Sequence, residues 1–149
     1  MKENIKIYFA PIEEPRMDFV CAAIQKGVKF LTELFKDSKD SKDVTLYVWA
    51  KQDIATYFNE SFTQDDIHIL TNGKTLVGAN LKIKFNSYET FNPSSDVEII
   101  FCAYPNQKMF NEISKAIDKG AVKTVIIVND EKSSEPWLTD WASNLERIE

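Results

Sequence analysis

A chain of 149 residues has the length of one domain with a sizeable core, so we expect residues 1–149 to fold as a single domain. The apolar fraction of 44% and the charged fraction of 28% are ordinary for a globular protein and exclude a disordered or collagen-like chain. The net charge of −5, with Arg16 and Arg147 as the only arginines among 18 basic residues, argues against a nucleic-acid-binding surface.

The sequence also lacks the apolar stretches that membrane insertion and secretion require. Nowhere do about 18 apolar residues run together, and the amino terminus has no signal-peptide core. Cys21 and Cys102 lie inside short apolar runs, where a free cysteine behaves as a small apolar residue. We therefore predict a cytoplasmic protein that enters no membrane and keeps both thiols reduced and unpaired.

The first part of the chain predicts two strands, each followed by a helix. Ile5, Ile7 and Phe9 alternate with polar positions, which predicts a first strand that ends at Ala10-Pro11. Apolar residues then recur every three or four positions from Met17 to Phe35, as in a long amphipathic helix. Residues 44–50 are nearly all β-branched or aromatic, which predicts a buried strand, and the apolar spacing over 54–62 predicts a short helix.

Residues 67–91 give a mixed pattern. The apolar run at 67–70 predicts a strand, and Asn72-Gly73 is a tight-turn signal. Residues 81–85 alternate between apolar side chains and lysines, which is typical of a strand near a sheet edge. We expect strands at both ends of this segment, and the pattern allows an antiparallel hairpin at the edge.

The last part predicts two more buried strands, at residues 97–103 and 122–128. The helix between them begins at the Asn106 cap and ends at Gly120. Pro136 opens a final helix, and its apolar positions have helical spacing: Trp137, Leu138, Trp141, Ala142, Leu145 and Ile148.

This alternation of strands and helices predicts the fold class. Strands joined by helices of ten or more residues require right-handed crossovers and a parallel sheet. We expect a three-layer α/β domain, Rossmann-like or flavodoxin-like, with a mostly parallel sheet of about five strands and helices on both faces. The strands at 44–50, 97–103 and 122–128 should be central. Ligands in such folds bind beyond the carboxyl ends of the strands.

The sequence contains none of the common catalytic or cofactor motifs. Its four glycines do not form a dinucleotide or phosphate-binding loop. The single histidine, His68, lies in an apolar run, and two separate cysteines do not supply the paired ligands of a zinc site. We therefore predict neither a metal nor a cofactor.

Polar residues do collect after two of the predicted strands. The loop after the first strand supplies Glu13 and Arg16, and the turn after strand 97–103 supplies Tyr104, Asn106 and Lys108. If these strands are neighbours, both loops open at one crevice. Lys108 lies in the first turn of a helix, where free N–H groups favour an anion. The sequence thus predicts a pocket for a small anionic or nucleotide-like ligand between these loops.

Two segments, the Lys-Ile-Tyr-Phe-Ala-Pro opening at 6–11 and residues 96–112, resemble the nucleoside deoxyribosyltransferase-like group. In that group a glutamate on a helix serves a nucleoside site. The resemblance implies N-glycosidic chemistry in which Glu112 acts as nucleophile or base.

No complete catalytic set is visible, so the sequence favours a non-catalytic domain that binds a small ligand or a protein partner. The alternative is a small enzyme that acts on a nucleotide or nucleoside through Glu112. The fold class alone does not choose between these two functions.

Overall fold

The computed structural model describes residues 5–130, 141 and 145–148. Within these residues the chain forms seven strands and four helices. In chain order they are β1 (Lys6–Ile12), α1 (Met17–Phe35), β2 (Lys42–Val48), α2 (Asp53–Tyr57), α3 (Gln64–Thr71), β3 (Leu76–Gly78), β4 (Leu81–Ser87), β5 (Ile99–Ala103), α4 (Gln107–Lys119), β6 (Thr124–Asp130) and β7 (Leu145–Arg147).

The strands form one sheet in the order β3-β4-β2-β5-β6-β1-β7. All neighbouring pairs are parallel except β3 and β4, which form an antiparallel pair at one edge. This confirms the predicted α/β class with a mostly parallel sheet and an antiparallel edge pair. The predicted central strands are β2, β5 and β6, and the lysine-bearing strand β4 lies next to the edge. The sheet is larger than predicted, with seven strands instead of about five.

The sheet is buried on both faces. On one face, which we call the α1 face, α1, α2 and α3 cover residues such as Leu46 and Phe101. On the other, the α4 face, α4 and Trp141 cover Tyr47 and Cys102, the next residues along the same strands. Side chains alternate between the two faces along a strand, so each central strand needs apolar residues at nearly every position. Together the helices and the sheet form the three predicted layers.

The connections decide where crevices open at the carboxyl edge of the sheet. After β2, the chain continues into α2 on the α1 face. After β4 and β5, which lie on either side of β2, it continues on the α4 face, through residues 88–98 and α4 respectively. Where adjacent strands send the chain to opposite faces, a crevice opens between their ends. The end of β2 therefore borders a crevice on each side.

The predicted strand at 67–70 is wrong, because these residues belong to α3. The helix begins at Thr63, whose side chain accepts a hydrogen bond from the Asp66 N–H at 3.2 Å. Ile67 and Leu70, three residues apart, both face the core as a helix requires. The predicted turn signal is the end of this helix, where Gly73 adopts a positive φ of 76°.

The predicted last helix is wrong at its end. Residues 145–147 form β7, which pairs in parallel with β1, and the Ile148 N–H donates to the Phe9 carbonyl at 2.8 Å. Trp141 is helical and buried, with its ring edge-on to Phe110 at a centroid distance of 5.4 Å. The predicted helical residues 136–140 and 142–144 lie outside the described residues. None of the described helices is long and apolar enough to span a membrane.

Both cysteines are buried and unpaired, as predicted, with Cys21 on α1 and Cys102 in β5. Burial raises the pKa of both thiols, so the reactive thiolate is scarce in the folded protein. We expect a thiol reagent at about pH 8 to modify neither cysteine rapidly in native protein, and to titrate two thiols once the chain is unfolded in denaturant. Rapid modification of native protein would contradict the burial of these residues.

Candidate functional site

The two loops that were predicted to form a pocket do not follow neighbouring strands. β6 pairs with β1 on one side and with β5 on the other, so it separates them. The separation arises because α1 carries the chain from β1 past two strand positions to β2, and α4 later returns it to the position beside β1. The predicted adjacency is therefore wrong. The ligand-binding roles of the five loop residues remain predictions.

In the first loop, charged groups are paired with one another. The Arg16 guanidinium donates to both carboxylate oxygens of Asp18, at 2.8 and 3.2 Å, and lies 3.6 Å from the Glu14 carboxylate. The hydrogen bond from Arg16 lowers the pKa of Asp18. Glu13 is exposed. This arrangement explains the charges of the loop without a ligand.

The second turn lies at the carboxyl edge of the sheet. Tyr104 has a positive φ of 52°, which is strained for a side chain of this size, and its N–H donates to the Val128 carbonyl at 2.8 Å. Its ring is parallel to that of Tyr57, with centroids 6.4 Å apart. The Asn106 side chain caps α4 by accepting from the Met109 N–H at 3.1 Å, as predicted. Lys108 is exposed in the first turn.

Glu112 lies in the second turn of α4, where its carboxylate accepts from the Lys115 ammonium at 3.2 Å. The pKa of Tyr47 in β2 is raised by burial first and then by the electrostatic effects of Cys102 and Glu112. The buried Tyr47 hydroxyl has no hydrogen-bond partner among the described residues.

A cavity of about 600 Å³ opens where β2 and β4 end, in one of the two crevices beside β2. Its volume is within the usual range of small-molecule sites, which is about 300–1,000 Å³. We call it the β2/β4 cavity. It is lined by the segments that follow the two strands: Trp49, Ala50, Lys51, Gln52, Phe85, Ser87, Tyr88, Glu89 and Thr90.

An aromatic pair forms part of the cavity wall. The rings of Trp49 and Tyr88 stack with centroids 4.8 Å apart and planes 21° apart. The Tyr88 N–H donates to the Trp49 carbonyl at 3.3 Å, which ties the two loops together. Trp49 is nevertheless 44% exposed, unusually high for so large an apolar side chain. The indole is thus positioned by Tyr88 and still accessible.

Hydrogen bonds fix both loops of the cavity. The Ser87 N–H donates to the Thr90 hydroxyl at 2.9 Å, and that hydroxyl donates to the Asn86 side-chain oxygen at 3.1 Å. In the other loop the Ala50 N–H donates to the Asp53 carboxylate at 3.0 Å. Three long polar side chains remain exposed at the rim: Lys51, Gln52 and Glu89. The cavity is therefore preformed, with three long polar side chains at its rim.

The cavity is not predicted from the sequence, because the predicted second strand, at residues 44–50, includes Trp49. The strand ends at Val48, and Trp49 is the first residue beyond it. The signal available in the sequence was a large aromatic residue followed by Ala-Lys-Gln at the end of a buried run.

Comparisons with protein-family models, with curated proteins and with solved structures found no match to this chain. The resemblance to the nucleoside deoxyribosyltransferase-like group therefore depends on the residues quoted for it alone. In the part of the chain that the structure describes, no group of three or more His, Cys, Asp or Glu side chains is placed to hold a metal ion.

Proposed function

We propose that this protein is a non-catalytic binding domain that holds a nucleotide-like ligand in the β2/β4 cavity, with the ligand ring stacked on Trp49. The observation that carries the proposal is the accessible indole, held by Tyr88 in a preformed cavity at the carboxyl edge of the sheet. Crevices at this edge are the usual ligand sites of open α/β sheets.

The chemistry of the rim fits a nucleoside. A flat ring on an aromatic side chain contributes roughly 1–3 kcal/mol of binding free energy per base. The Glu89 carboxylate can accept hydrogen bonds from sugar hydroxyls or a base amino group, and the Lys51 ammonium can bind a negatively charged group. The Gln52 amide both donates and accepts. One cavity therefore contains side chains that can bind the ring, the sugar hydroxyls and a negatively charged group of a nucleotide.

Binding without catalysis has more support than the enzymatic alternative. Glu112 is not among the residues that line the β2/β4 cavity, and its carboxylate is bonded to Lys115. The one carboxylate among the lining residues is Glu89, which is exposed. A nucleophile next to a general base, as covalent or acid–base catalysis requires, is not present among the described lining residues.

The proposal predicts that Trp49→Ala weakens nucleoside binding by about tenfold or more, because roughly 1–3 kcal/mol of stacking is removed. Calorimetric titration with adenosine, guanosine, cytidine and uridine measures the effect. Trp49→Phe retains a ring and should keep most of the affinity. Leu34→Ala removes another exposed apolar side chain, on α1, and should leave binding unchanged. Equal affinities of wild type and Trp49→Ala, or no binding of any nucleoside, would refute the proposal.

A further inference from the structure

We propose that the start of α4 is a phosphate subsite, at which the free N–H groups of the first turn, the Lys108 ammonium and the Asn129 side-chain amide hold the phosphate of a nucleotide. The inference deepens the proposed function and depends on it for the identity of the ligand. The subsite itself follows from separate observations at the ends of β5 and β6.

The first observation is that N–H groups at the start of α4 have no hydrogen-bond acceptor among the described contacts. The Asn106 side chain accepts a hydrogen bond from the Met109 N–H, and the Asn106 carbonyl accepts one from the Phe110 N–H. Among the described contacts, the N–H groups of Gln107 and Lys108 have no acceptor. The first turn contains no acidic residue, and Lys108 lies there against the helix dipole. An anion bound at this point would satisfy the N–H groups and neutralise the lysine.

The second and independent observation is a buried amide beside this helix start. Asn129 is 4% exposed, and its Oδ1 accepts from the Asp130 N–H at 2.8 Å. Its Nδ2 is buried and has no hydrogen-bond partner in the described structure. A buried donor without a partner is unfavourable, so such groups are rare unless a ligand or a water molecule accepts the hydrogen bond.

The position of Asn129 directs this amide to α4. Val125 and Ile127, at alternate positions of the same strand, belong to the core on the α4 face, so Asn129 also points to that face. Ala103 pairs with Val128, and the Tyr104 N–H bonds to the Val128 carbonyl. Asn129 is therefore level with the turn that leads into α4, on the face of the sheet that α4 covers.

Gln107 adds a second buried polar atom to the helix start. Its Nε2 donates to the Asn111 side-chain oxygen at 2.9 Å, while its Oε1 is buried without a partner among the described residues. Amide oxygen and nitrogen exchange places by a half turn of the group. If both amides turn, Asn111 becomes the donor and Gln107 presents a second N–H to a phosphate. In the original orientation, Oε1 accepts from a ligand hydroxyl.

The subsite lies within reach of Trp49. Tyr47 of β2 pairs with Cys102 of β5, so the position two residues beyond Tyr47 is level with Tyr104, in the turn that leads into α4. Trp49 is two residues beyond Tyr47 on the same face of the sheet, about 7 Å further along. Trp49 is therefore level with the turn that leads into α4, and Lys108 lies in the first turn of that helix.

The strands set the sideways distance between the ring and the phosphate. β2, β5 and β6 are consecutive in the sheet, and neighbouring strands are about 5 Å apart. Trp49 follows β2, α4 starts above β5, and Asn129 lies in β6. The Trp49 ring and the phosphate subsite are thus separated sideways by one to two strand spacings. A nucleoside monophosphate spans that distance with its base on Trp49 and its phosphate at α4.

Calorimetric titration with adenosine, 5′-AMP and inorganic phosphate tests the subsite. We expect wild-type protein to bind 5′-AMP at least tenfold more tightly than adenosine. Lys108→Glu should remove this advantage and leave the adenosine affinity unchanged, because the side chain is exposed and the fold does not depend on it. Lys29→Glu, the same charge change at an exposed position of α1, should alter neither affinity. Asn129→Ser, which deletes the unpartnered amide, should weaken 5′-AMP binding threefold or more at constant adenosine affinity.

The outcomes separate the two proposals. Trp49-dependent adenosine binding with no advantage for 5′-AMP would overturn the phosphate subsite and leave the ring site intact. Lys108-dependent binding of phosphate without any binding of adenosine would support the subsite and refute the ring site. An advantage for 5′-AMP that persists in folded Lys108→Glu and Asn129→Ser proteins would also overturn the subsite.

Discussion

Replacement of Ile100 by aspartate should lower the free energy of unfolding by about 4–5 kcal/mol, which is close to the whole stability of many domains. Ile100 has no exposed surface and lies in β5, which is between β2 and β6 in the sheet. Its side chain belongs to the core on the α4 face. A carboxylate there would be charged without a partner, or would have to bind a proton at a large shift of its pKa.

Urea unfolding followed by circular dichroism measures this effect. Lys84→Asp places the same residue at an exposed position of β4 and is the matched control. We expect the control to change the free energy of unfolding by less than about 1 kcal/mol, the range of strand propensities at exposed sites. An Ile100→Asp protein as stable as the control would show that β5 is not the buried centre of the sheet.

The central strands could be predicted because their signal is local. β2, β5 and β6 are covered on both faces, so each contains an almost continuous apolar run, at residues 44–48, 99–103 and 125–128, that is visible without knowledge of its neighbours. The two long helices could be predicted for the same reason. α1 has an apolar stripe at helical spacing, and α4 has Asn106 at its start and Gly120, with a positive φ of 93°, at its end.

The errors fall where the deciding contact is distant or the pattern is ambiguous. The four-residue apolar run at 67–70 fits a strand and a helix equally well, and the Thr63 cap that decides for α3 precedes the run. Leu145 and Ile148 continue the helical spacing of the preceding apolar residues, but residues 145–147 form a strand that pairs with β1. That pairing joins the two ends of the described chain and leaves no local trace in the sequence.

The difference between local signals and distant contacts also explains which parts of the candidate site could be predicted. The sequence correctly located the turn at Tyr104 and the cap at Asn106, because strand ends and caps are local features. It could not give the strand order, which places β6 between the two chosen loops. It also could not show that Trp49 stacks on Tyr88, since this contact exists only when β2 and β4 are neighbours. Strand order thus determines which of several polar loops share a crevice.

Replacement of Gly27 by leucine should lower the free energy of unfolding by about 3 kcal/mol through overpacking. Glycine in a helix interior is less favourable than alanine by about 1 kcal/mol, so its presence in the middle of α1 needs a reason. A Cβ atom at Gly27 would lie 2.9 Å from Cζ and 3.0 Å from Cε2 of Phe101. The Phe101 ring is fully buried in β5 and cannot move aside into solvent.

Ala22→Leu is the matched control, because Ala22 is on α1 with its side chain exposed and should tolerate leucine with little change. The decisive measurement is a double-mutant cycle by urea unfolding. Phe101→Ala alone should lower stability by about 3–5 kcal/mol by leaving a cavity. Combined with Gly27→Leu, the loss should be smaller than the sum of the two by about 1 kcal/mol or more, because the leucine occupies the space that the ring leaves. Strict additivity would show that α1 does not press on β5 at this point, and that Gly27 is present for a reason other than close packing.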